Sequence, residues 1–135
     1  MREVKEETTF WRDRSLSLRH RAWGFDVPAV DIDFLMIEYD SAEPIAIIEY
    51  KRETAAVQWA SHPSIKAMIK LADRSEIMAI AVRYSADLSW FLATALNANA
   101  RKLLPKPVTF SEKGFVKFLY SIRNREVPLE ILDKL

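Results

Sequence analysis

The chain has 135 residues, 50% of them hydrophobic and 29% charged, enough for one buried core and too few for two, so a single domain spanning residues 1–135 is expected. Its net charge of +1 does not single out a nucleic-acid binder, yet the charge is split: residues 1–60 carry eight Lys and Arg against twelve Asp and Glu, and residues 61–135 twelve against seven. The absence of cysteine excludes disulfides, thiolate nucleophiles and thiolate zinc sites, and the two glycines exclude Gly-rich phosphate loops.

His20 and His62 lack the spacing of a helical metal pair, so any metal here must be held by oxygen. No apolar run reaches bilayer length, and the charged segment Met1 to Glu7 does not read as a secretory signal. A cytoplasmic protein with no membrane partner is the expectation.

In chain order, Thr8 to Arg21 reads as a helix, with Gly24 turning the chain after it and Pro28 keeping the next residues extended. Ile32 to Ile37 and Ile45 to Ile48 are strand-like apolar runs flanking the turn residues Asp40, Ser41, Ala42, Glu43 and Pro44, hence a β-hairpin. His62 caps a helix that has Pro63 in its first turn and Ile65, Met68, Ile69 and Ala72 on one face. Ile77 to Val82 is a strand buried on both faces, and the passage from the second hairpin strand through this helix predicts a parallel crossover. Ser89 to Leu96 reads as a strand entering a helical turn. Thr109 and Glu112 have capping-box spacing ahead of a helix that turns Phe115, Phe118, Leu119 and Ile122 to the core. The predicted class is α/β: a mixed central sheet flanked by helices, with an α-β-β-α-β core and an additional C-terminal strand and helix.

The chemistry concentrates in the hairpin. Glu49 and Lys51 stand at i and i+2 at the end of the second strand, so they share a face. With the turn centred near Ala42, Asp33 faces Lys51 and lies diagonal to Glu49, roughly 7 to 8 Å away at the backbone. Asp31 has the same parity and is the reserve, since a register slip of two would exchange the roles. Two carboxylates beside an ammonium suit Mg²⁺, which takes oxygen ligands and leaves positions for a phosphate oxygen and water.

Asp33, fifteen intervening residues and then Glu49-Tyr50-Lys51, set in this order of elements, resembles the PD-(D/E)XK nuclease superfamily across residues 8–96. That superfamily includes restriction endonucleases, repair and recombination nucleases and Holliday-junction resolvases. The resemblance implies a restriction-endonuclease-like fold and Mg²⁺-dependent phosphodiester hydrolysis, with Mn²⁺ substituting. Asp33, Glu49 and the backbone carbonyl of Tyr50 would hold the metal, and Lys51 would be catalytic. The implied partner is nucleic acid, DNA in the first instance, and the small size suits structure-selective cleavage by a homodimer. The alternative is a binding or interaction module on the same fold without catalysis.

The pattern departs from the family in two places. Its proline is not adjacent to Asp33, Pro28 lying five residues earlier, and a first-helix acid has two candidates, Glu7 and Asp13. Gln58 stands where some branches place a supporting glutamine, and His20 is a candidate proton shuttle or a structural hydrogen-bonder. Arg101, Lys102, Lys106, Lys113 and Lys117 are either a phosphate-gripping surface or solvated helix faces. Trp11, Trp23, Trp59 and Trp90 are read as packing rather than base-stacking residues.

Overall fold

The structure is a computed structural model that describes residues 15–24, 26, 28–55 and 61–135. The chain divides into two compact units, Met1–Asp31 and Ile32–Leu135. In the first, the described helix is α1 (Ser15–Ala22), which ends at Gly24, where φ of +104° gives the chain the turn expected there.

The second unit is built on a mixed five-stranded sheet in the order β1-β2-β3-β4-β5. The strands are β1 (Phe34–Glu38), β2 (Glu43–Arg52), β3 (Met78–Tyr84), β4 (Phe91–Ala95) and β5 (Val108–Phe110). β2 and β3 are parallel, joined through α2 (Pro63–Arg74), and the other neighbours are antiparallel. The α/β class and the parallel crossover therefore stand.

Alternation along β2 and β3 divides the core into two layers. Ile48, Ile80 and Val82 face α4 (Glu112–Ile122), which buries Phe115, Phe118 and Ile122 on that side. Ile47 and Ala79 face the other way, against Ile65, Met68 and Ala72 of α2. β3 is buried continuously from Ala79 to Val82, as a strand with a helix on each face must be.

His62 caps α2 as expected, its Nδ1 accepting from the Ser64 amide at 3.2 Å. The capping box proposed for Thr109 and Glu112 does not form. Thr109 lies within β5, which pairs with β4, and Ser111 caps α4 by accepting from the Gly114 amide at 3.1 Å. The helical turn expected after the fourth strand is α3 (Ala98–Arg101), and the strand at Val108–Phe110 and the one-turn helix α5 (Leu129–Leu132) are additions to the predicted order. Three residues, or a single turn, carry too little periodicity to be read.

The hairpin register also differs from expectation. Facing pairs run Phe34–Ile48, Leu35–Ile47 and Met36–Ala46, then shift at a bulge to Ile37–Pro44 and Glu38–Glu43. The turn is Tyr39 to Ala42, with Ala42 at φ 58°, and Glu43 and Pro44 belong to β2 rather than to the turn. Pro44 is tolerated because it stands beside the bulge near the strand's start. Glu38 anchors this end of β1 to the residues after α4: Arg123 donates to both of its carboxylate oxygens, holding that carboxyl below its ordinary range.

Candidate metal centre

The ladder ends at the Phe34–Ile48 pair, and its register continued one step would set Asp33 across from Glu49 rather than from Lys51; the two carboxyls lie within hydrogen-bonding reach of each other. The correction brings the two carboxylates closer than predicted, because directly opposed residues have Cβ atoms only about 4.5 to 5.5 Å apart. Asp33 Oδ2 accepts from the Tyr50 amide at 3.2 Å, which fixes its carboxylate at the open end of β1. An extended residue projects its N–H and C=O from the same strand edge, so the Tyr50 carbonyl faces the side on which Asp33 stands.

Glu49 is buried, at 7% exposure, among core residues of β2. Its carboxyl is pushed above the ordinary value first by burial and then by the neighbouring charge of Asp33, with Lys51 opposing both. Lys51 Nζ lies 3.5 Å from Glu49 Oε1, while Oε2 is buried with no hydrogen-bond partner among the described residues. An acid spent on an inward strand position with a second carboxyl beside it is costly unless a cation completes it or a proton is held between the two. The donor set, two carboxylates and a carbonyl, is of the hard-oxygen kind that Mg²⁺ prefers, so the residues present fit that ion. No group of three or more His, Cys, Asp or Glu side chains that could hold a metal converges among the described residues.

Tyr50 contributes backbone only. Its ring turns to the α4 layer, edge-on to Phe34 at 5.0 Å and near Tyr84 and Phe115, and burial pushes its hydroxyl up to about 12. Glu49 and Lys51 instead share the α2 side of the sheet with Ile47. They stand at the carboxyl end of the parallel pair β2 and β3, where open α/β sheets place their ligands.

The predicted supporting residues separate into three groups. Gln58, Trp59, Glu7, Asp13 and Trp11 lie outside the described residues. Asp31 and His20 belong to the first unit, Asp31 as its last residue and His20 in the last turn of α1 with its ring 5.3 Å from that of Trp23. The basic residues are exposed but do not gather at the carboxylates. Arg101 and Lys102 sit at α3, next to the amino end of β3, where Asn97 holds the Ala79 amide and the Ile77 carbonyl; Lys106 follows them toward β5. Lys113 and Lys117 ride on α4, which covers the opposite face of the sheet. A pocket of about 350 Å³ lined by Lys117, Arg125, Glu126, Val127, Leu129 and Leu132 is likewise remote from Glu49.

Arg83 is a further cation on the site's face, one that the sequence pattern did not single out. Arg83 pairs with Lys51 across β2 and β3, so their side chains project together, and Arg83 Nη1 donates to the Glu53 carbonyl at 3.1 Å. Its signal was the charge closing a run of apolar strand residues, the same signal that drew attention to Glu49 and Lys51.

No protein-family model, curated protein or solved structure matches this chain.

Proposed function

We propose that this chain is a Mg²⁺-dependent nuclease that hydrolyses phosphodiester bonds in DNA, with structure-selective cleavage by a homodimer as the preferred mode. The single observation that carries the reading is the buried, unpartnered Oε2 of Glu49 set across from the Asp33 carboxylate. Asp33, Glu49 and the carbonyl of Tyr50 hold the ion, and Mn²⁺ substitutes for it. When bound, the ion supplies Lewis-acid polarisation of a phosphoryl oxygen.

The remaining work falls to the chain's own groups. The Tyr50 amide orients Asp33 through the 3.2 Å hydrogen bond. Burial of Glu49 raises the strength of every charge interaction its carboxylate makes. Lys51, its side chain 42% exposed, keeps its ammonium within reach of both Glu49 and incoming substrate. There it orients the attacking water and offsets negative charge that grows on the phosphoryl oxygens in the transition state.

The test is incubation of the purified protein with branched, duplex and single-stranded DNA in Mg²⁺ and in EDTA. Cleavage of at least one substrate that needs the ion and is lost in Lys51→Ala is the expected result. Absence of cleavage in every case, or undiminished cleavage by Lys51→Ala, would sink the proposal.

A further inference from the structure

The site is polarised along the sheet. Carboxylates occupy its β1 side, where Asp33 stands across from Glu49, and cations occupy its β3 side, where Lys51 pairs with Arg83. An anion bridging the two halves would meet the ion on one side and two side-chain cations on the other. Arg83 is half-buried, and among the described residues one of its five N–H donors is used, on the Glu53 carbonyl. That hydrogen bond fixes the guanidinium at the turn that follows β2, where Glu53 N donates to the Tyr84 carbonyl at 2.8 Å to continue the β2–β3 ladder and Ala55 N donates to the Arg52 carbonyl at 3.0 Å to close the turn. A guanidinium held in this way has its remaining donors pre-oriented, the arrangement that favours paired hydrogen bonds to phosphate oxygens.

We propose that Arg83 is a phosphate-binding residue of this site, gripping a nonbridging oxygen of the nucleic-acid backbone beside Lys51. The proposal rests on the nuclease reading for the identity of the anion. It accounts for a charged residue on the strand next to the carboxylates, whereas Arg101, Lys102, Lys106, Lys113 and Lys117 lie at the far strand ends or on the other face.

The experiment compares the full chain with Arg83→Ala, Arg83→Gln and Arg83→Lys. Affinity for labelled duplex and branched DNA is measured in EDTA across about 50 to 200 mM salt, together with thermal melting. Glutamine retains an N–H for the Glu53 carbonyl and loses the charge; lysine retains the charge. Alanine and glutamine are each expected to weaken binding about tenfold and to lower the salt slope by about one, lysine keeping the slope. Wild-type affinity in Arg83→Gln overturns the inference, as does an equal loss in all three variants that tracks a lowered melting temperature, or absence of DNA binding by the unsubstituted protein. Cleavage in Mg²⁺ reports on the nuclease reading separately. Arg83-dependent binding without cleavage refutes that reading alone, and cleavage with unchanged affinity in Arg83→Gln refutes this inference alone.

Discussion

Replacing Glu49 by glutamine tests the metal centre without requiring a substrate. In the metal-free protein the Glu49 carboxylate is buried, faces Asp33 and leaves Oε2 unsatisfied. The amide is close to isosteric, removes the repulsion and has an N–H to donate to Asp33. Relief of one unsatisfied buried polar group is worth about 2 kcal/mol. For a chain of this size that raises the melting temperature in EDTA by roughly 6 to 10 °C.

The pH dependence has a defined sign. Because the folded chain holds this proton more tightly than the ordinary value of 4.5 allows, Glu49's contribution is most favourable at acid pH. It is lost as pH rises from there through the raised folded value. Metal-free wild type therefore loses this contribution as pH rises above the ordinary carboxyl value, and Glu49→Gln has none of it to lose. Mg²⁺ reverses the order, since an ion at about 100 times its Kd stabilises the wild type by about 2.7 kcal/mol and the variant by far less. The assay is thermal and urea unfolding across pH, with EDTA or Mg²⁺. The reasoning is refuted by a variant that melts below wild type in EDTA, or that gains as much from Mg²⁺ as wild type does.

Further outcomes follow from the same geometry. Lys51→Ala abolishes DNA cleavage but keeps a Mg²⁺-dependent rise in melting temperature, because the ammonium is not a ligand; loss of both in a folded variant contradicts the assigned role. Tyr50→Phe leaves that Mg²⁺ response intact, since Tyr50 enters the site only through its main chain, whereas Asp33→Asn weakens it, both readable by calorimetric titration. Asn97→Ala, remote from the site, strips partners from the Ala79 and Ala100 amides and the Ile77 carbonyl and lowers stability by about 3 kcal/mol in urea titrations. Ile80→Ala, in the fully buried centre of β3, costs about 2 to 5 kcal/mol by the same measurement.

The hairpin, the crossover helix and the buried third strand were legible because each runs long enough to show a period and is bounded by turn or cap residues. Ile65, Met68 and Ala72 announce one face of α2, and His62 and Pro63 announce its start. Glu49 and Lys51 were conspicuous because charge at the end of an apolar run conflicts with burial. β5 and the Ser111 cap were not legible, since a strand of three residues is specified by its pairing with β4 rather than by its own composition.

The pairing of Asp33 with Glu49 shows the same limit more sharply. Alternation along β2, a local rule independent of register, places Glu49 and Lys51 on one face, whereas Asp33 joins that face only through the parity of the hairpin pairing. The folded sheet settled which residue stands opposite which, since that depends on a bulge at Met36–Ile37 and on where a four-residue turn closes. It also decided which cations reach the site. Arg83 is 32 positions from Lys51 in sequence and becomes its neighbour through parallel pairing, while the basic residues nearer the C-terminus are carried to the other face or the far end of the sheet. Parity is a property of a strand, and register and face assignment are properties of the packed sheet.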